Sequence, residues 1–320
     1  MSRRLAAGPF VTSDHDERAP GMLDAVLGPG GGQVYAVSQR AGGTVHAFDV
    51  AGDAWVERSA VSSGGDVPCS VTLSPSGRHL LVANYGSGSV AVLRLEADGS
   101  IGERTDLVEH TGSGPVAGRQ EAAHVHQVRF DPSGSLVVVT DLGADCLYSY
   151  RFDDTTGTLA RAESWRNACP PGAGPRHLVF TSERHVVVSD ELSSTVSRYD
   201  LDPATGALRW REQLAIGAVA AGVGYPSDIL LADAGRYAYV GNRGADTVSI
   251  IDVGGDALRL VAELPAGRWP LHLTVTAGRL WAACRDSDEV VSWALDETGL
   301  AGGVRHTTGA SAPLCLLPAP

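Results

Sequence analysis

Lysine is absent from the 320-residue chain, so all 25 basic side chains are arginine. That removes Schiff-base catalysis and the lysine of a phosphate-binding loop. The arginines form no run and the formal net charge is −12, so a nucleic-acid backbone or an anionic membrane would be repelled. Cysteine is sparse: Cys69, Cys146, Cys169, Cys284 and Cys315 are odd in number, widely spaced and without a C-x-x-C pair, which predicts reduced thiols rather than a disulfide framework. No apolar run reaches signal or transmembrane length, including the opening MSRRLAAGPFVTS, so the expectation is a soluble, cytoplasmic protein. A G-x-S-x-G elbow is also missing, which argues against a Ser-His-Asp hydrolase.

What is plentiful is glycine and proline, 39 and 17 residues spread along the chain, as many tight turns require. They punctuate a repeat. MLDAVLGPGGGQVYAVSQRAGGTVHAFDV from Met22, PCSVTLSPSGRHLLVANYGSGSVAVLRLE from Pro68 and VHQVRFDPSGSLVVVTDLGADCLYSYRFD from Val125 share one pattern. PRHLVFTSERHVVVSDELSSTVSRYDLD from Pro175, PSDILLADAGRYAYVGNRGADTVSIIDV from Pro226 and PLHLTVTAGRLWAACRDSDEVVSWALD from Pro270 repeat it. Each unit reads as strand, turn, strand ending in a polar residue, turn, and alternating third strand, with room for a fourth in the linker. The GPGGG at Gly28 precedes a strand and is therefore a hairpin turn.

The second strands end at Ser38, Asn84, Asp141, Asp190, Asn242 and Arg285, in steps of 43 to 57 residues, the spacing of four-stranded propeller blades. The pattern predicts an all-β, seven-bladed β-propeller occupying residues 1–320 as one domain. Its last blade is thin and closed by both chain termini, RLAAGPFVTS and SAPLCLLP.

The columns of the repeat separate turn chemistry from candidate function. The column ending the second strands is polar throughout and is read as side chains bonding nearby backbone amides. The next column (Gln39, Tyr85, Leu142, Glu191, Arg243, Asp286) and the one opening the first strands (Leu23, Cys69, His126, Arg176, Ser227, Leu271) vary in kind. Both fall at the hairpin edge away from the tight turn, so they rim one mouth of the channel. His126, Arg176, Glu191 and Arg243 come from three consecutive units and gather an acid–base group with permanent cations in one sector. Arg176 and Glu191 are also placed to form an ordinary blade-edge ion pair. His124 and His126 lack a third zinc ligand on their side, since His177 and His272 occupy the following column; no metal and no cofactor is expected.

The runs HTGSGPVAGRQEAAHVHQVRFDPSG, LGADCLYSYRFD, GPRHLVF, DELSSTVSRYD and NRGADTVSIIDV resemble the seven-bladed propeller lactonase family, which includes bacterial 6-phosphogluconolactonases and fungal carboxymuconate-lactonizing enzymes. The resemblance runs in order from Met22 to the C-terminus and implies His126, Arg176, Glu191 and Arg243 as catalytic residues. The family's NRGHDS is here NRGADT, with Ala245 in place of histidine.

Arginine suits an oxyanion, carboxylate or phosphate because it stays protonated and offers paired donors. His126 or Glu191 would then be the general acid–base. Arg119, in the loop before the third unit, His124 and Tyr85 are the expected substrate contacts. The function expected is a metal-independent lactonase for 6-phosphogluconolactone or a related sugar lactone. The alternatives are a muconate-type lactonizing cycloisomerase and a non-catalytic propeller that binds a ligand or protein.

Overall fold

The computed structural model describes residues 3–5, 9–13, 21–52, 54–217, 224–232 and 234–318. Six of its sheets are four-stranded, antiparallel and consecutive in the chain, one for each repeat unit. Their first strands are Met22–Leu27, Pro68–Leu73, Val125–Phe130, Pro175–Ser182, Pro226–Leu231 and Pro270–Thr276, which define blades 1 to 6. Blade 7 is a three-stranded sheet, with Pro313–Leu317 innermost, then Phe10–Ser13, then Arg3–Arg4. Both termini thus close the ring. The first strands contact one another around the axis, and Pro313–Leu317 stands between those of blades 6 and 1. No helix among the described residues is long and apolar enough to cross a membrane.

The core is divided as the alternation of the strands dictates, because each sheet buries both faces against its neighbours. Seven separate apolar clusters fill the seven blade junctions. Phe10, Met22, Phe48 and Trp55 fill the junction between blades 7 and 1, and Val11, Trp281 and Leu316 that between blades 6 and 7.

One detail of the inner strands governs the site. In every blade the pairing of the first strand slips by one residue at its start. The pairs Pro68↔Asn84 then Ser70↔Ala83, Val125↔Asp141 then Gln127↔Thr140, and Pro175↔Asp190 then His177↔Ser189 leave Cys69, His126 and Arg176 as the extra residues. Such a bulge re-aims the side chain it carries. The same register corrects the sixth unit of the repeat: Pro270 pairs with Cys284. Cys284 therefore fills the turn column, and Arg285, not Asp286, belongs to the rim.

The turn column itself is buried at Ser38, Asn84, Asp141, Asp190 and Asn242. Asp141 accepts backbone N–H groups of His124 and Ala144 as expected. Asn84, Asp190 and Asn242 instead bond hydroxyls of the third strand.

Candidate active site

The rim is set by a backbone device repeated in blades 1 to 6. The residue before the first strand turns its carbonyl onto the N–H of the rim residue, as in Val67 to Tyr85, Gly174 to Glu191, Tyr225 to Arg243 and Trp269 to Arg285. In these four blades the turn takes positive φ, which Gly174 adopts freely. Val67, Tyr225 and Trp269 hold φ of 52°, 49° and 59°, a conformation costing roughly 1–2 kcal/mol for a residue with a Cβ.

Bulge and rim residues together line a cavity of about 340 Å³ at one mouth of the channel. His126, Arg176, Glu191 and Arg243 all face it, with Tyr85 and Arg119 from the expected contacts and Leu23, Leu271 and Leu314 as apolar wall. His124 does not. Its ring stacks on Tyr85 at 4.4 Å and its Nδ1 is 3.0 Å from the Tyr85 carbonyl, so it supports Tyr85 from behind. The sequence reading missed Arg285 and Trp269, which also line the cavity. Counting five residues back from each third strand would have placed Arg285, because Asn84, Asp141, Asp190 and Asn242 all obey that spacing.

Glu191 is the electrostatic centre. It is 3% exposed, and its carboxylate meets Arg119 and Arg243 at 2.5 Å and Arg176 at 3.2 Å. Burial pushes its pKa up, but Arg243, Arg176 and Arg119 outweigh that and hold it at about 2. Arg243 is further fixed by the Tyr225 carbonyl at 3.0 Å. Arg119 arrives from the loop before blade 3, which is anchored by the buried Gln120: its amide donates to Leu142 and Asp145, both at 2.7 Å.

Arg176 is buried as deeply as Glu191. Its carbonyl accepts from Thr140 of the preceding blade at 2.6 Å. Its Nε, although close to Glu191, is misaligned for a hydrogen bond, and both Nε and Nη1 are buried without a hydrogen-bond partner. Burial, reinforced by Arg243, lowers its pKa to about 10, which leaves it charged at neutral pH. A buried charged donor without a partner is costly, and an anion in the cavity that Arg176 lines would offset that cost through its charge.

His126 sits edge-on to Tyr85 at 5.6 Å and to His177 at 5.2 Å, with Nδ1 3.8 Å from Cys69 Sγ. Burial, then Arg176, His177 and Arg243, hold its pKa well below 6.5, so the imidazole is neutral and able to accept a proton. Four guanidiniums against one carboxylate leave the cavity with three positive charges, within a chain of net charge −12. The arrangement can hold an anion, stabilise a developing oxyanion and accept a proton beside it.

The model of the family described as lactonase, 7-bladed beta-propeller matches residues 18–318. The chain is 33% identical over 268 residues to the 6-phosphogluconolactonase of Bacillus subtilis, covering 79% of this chain and 73% of that protein. It is 28% identical over 289 residues to the 6-phosphogluconolactonase of Formosa agariphila, 85% of this chain and 81% of that one. The structure of the periplasmic gluconolactonase of Pseudomonas aeruginosa superposes with a TM-score of 0.85 at 25% identity, covering 100% of this chain and 98% of that one.

Proposed function

We propose that this chain, which belongs to the seven-bladed β-propeller lactonase family, is a carboxylic ester hydrolase that opens an anionic sugar lactone at the channel mouth, with 6-phosphogluconolactone as substrate. The observation that carries this reading is the buried Arg176 guanidinium with two unpartnered nitrogens beside a neutral His126. The relatives named 6-phosphogluconolactonase support the choice of substrate.

In this reading water attacks the lactone carbonyl carbon while His126 accepts its proton. The carbonyl oxygen becomes an oxyanion that the Arg176 guanidinium stabilises. The ring C–O bond then breaks, and the leaving alkoxide takes the proton from His126, giving the hydroxy acid. Glu191 is too acidic and too firmly paired to act as the base. Its charge instead holds Arg119, Arg176 and Arg243 together. The five cysteines, all buried and free, support a reducing compartment, the cytoplasm.

The test is lactone loss above the spontaneous rate, with and without chelator, alongside absorbance of a conjugated diacid. Lactone turnover insensitive to chelator is expected. His126→Gln should lower kcat by about 10²–10⁴-fold, and the acid limb of the wild-type kcat/KM profile should fall below pH 6.5. A limb at the ordinary histidine value, or full activity in the variant, removes His126 from this role. Turnover of the diacid alone would replace hydrolysis with cyclisation.

A further inference from the structure

Arg285 stands apart from the other cavity arginines. Arg119, Arg176 and Arg243 all lie against Glu191, whereas Arg285 pairs only through Nε with Asp286, at 2.7 Å and on the surface. Exposed pairs of that kind contribute little. Neither terminal nitrogen of Arg285 has a partner among the described residues. Its guanidinium carbon lies 5.2 Å from the centre of the Trp269 indole, and that of Arg243 lies 5.4 Å from the same ring. The indole therefore joins the catalytic sector to Arg285.

Trp269 is held for this position. Its N–H donates to Asp246 at 2.9 Å, its carbonyl accepts from Arg285, and its backbone is left-handed at φ 59°. From blades 7, 1 and 2 the cavity is lined by Leu314, Leu23, Gln39 and Tyr85, none of them cationic, so a second anionic group of a ligand is drawn to Arg285.

The terminal donors of Arg285 form a fork that a phosphoryl group can meet with two hydrogen bonds, and the phosphoryl is the remaining anionic group of the substrate proposed above. We infer that blade 6 carries a second anion subsite, built by Arg285 over the Trp269 indole, and that it takes the phosphoryl dianion of a phosphorylated lactone. Arg285 is thus a specificity residue, remote from the bond that breaks. The kinetic consequence rests on the lactonase reading; binding of a phosphomonoester does not.

Wild type and Arg285→Gln are compared on one sugar lactone with and without its 6-phosphate. Losing a charge-assisted contact should raise KM for the phosphorylated form by about 10–100-fold, and the ratio of kcat/KM between the two substrates should fall by that factor. Arg209→Gln, an equal loss of charge on an exposed outer strand, should leave the ratio alone. Trp269→Leu should lower it in the same direction as Arg285→Gln. An unchanged ratio in Arg285→Gln overturns the subsite. Titration calorimetry with a hexose 6-phosphate separates the two ideas if wild type opens neither lactone. Weaker binding to Arg285→Gln than to wild type then keeps the subsite while the lactonase reading fails. Equal binding, or none to wild type, removes the subsite.

Discussion

Along the seven inner strands, the ring Leu23, Cys69, His126, Arg176, Ser227, Leu271, Leu314 and the ring Asp24, Ser70, Gln127, His177, Asp228, His272, Cys315 are consecutive in sequence, offset by one position. The second is the more polar, and with its neighbours it lines a cavity of about 350 Å³, nearly equal to the first. Yet most of its polar atoms, His177 Nε2 excepted, are spent on the fold. Asp24 accepts the N–H of Val71, Gln127 that of Leu178, Asp228 that of Leu273 and His272 that of Leu316, each from the next blade. Asp228 also holds His177 Nδ1 at 2.9 Å. In the first ring, Arg176 has open donors and His126 meets no strong partner. Between these two rings, a buried cation with unmatched donors, rather than polarity, distinguishes the site.

Asp24, His272 and Cys315 sharpen the point. Their ligand atoms lie within 4.8 Å of one another, and by residue type they suit a metal. His272 Nδ1, however, accepts the Leu316 N–H, which puts the ring proton on Nε2, the atom an ion would need. A metal-bound imidazole has the reverse arrangement, donating from its second nitrogen. His272 therefore latches blade 6 to the blade closed by the termini.

The largest effect that would break the comparison is on catalysis. Arg176→Leu should cut kcat by about 10²–10³-fold, while the melting temperature moves little, since Glu191 keeps Arg119 and Arg243. A large loss of stability with activity retained would reverse the roles of the rings. Next is Asp228→Asn, which weakens two charge-assisted bonds in the second ring. A loss of roughly 2–4 kcal/mol is expected, seen as a fall in melting temperature of about 5 °C or more, with kcat/KM within a few-fold of wild type. Calorimetry and lactone turnover on one preparation read both.

The smallest effect concerns two adjacent carboxyls. Burial raises the pKa of Asp190 to about 7, against hydroxyl bonds from Ser197 and Thr195 and the amide of Gln213 that lower it, while Glu191 sits near 2. The raised group stabilises the fold fully below its unfolded pKa, and that contribution is lost as pH rises through 7. The depressed group does the opposite, its contribution being lost only as pH falls from about 4.5 through 2. Asn84 and Asn242 occupy Asp190's column in blades 2 and 5, so Asp190→Asn should be tolerated. Its melting temperature relative to wild type should increase from pH 5 to pH 8; a constant difference would mean Asp190 does not hold its proton.

Much of the site was legible because a repeat lets one unit be compared with another. His126, Arg176, Glu191, Arg243, Tyr85 and Arg119 stand out as departures from columns or as motif residues, and all face one cavity. Arg285 was lost to a one-residue error in the sixth unit, whose first hairpin is shorter than the others. His124 was expected to touch substrate because alternation in an unbroken strand puts it on the same face as His126. The bulge at His126 breaks that alternation, and His124 lies outside the strand.

The sequence by itself determined the blades, their number and the chemistry at the rim, because apolar alternation, turn residues and repeat spacing are local and need no partner to be read. The tertiary structure decided which polar residues are free. Whether Asp228 is a latch and Arg176 an open donor depends on backbone amides and bulges that neighbouring blades present, and those contacts exist only once the ring has closed.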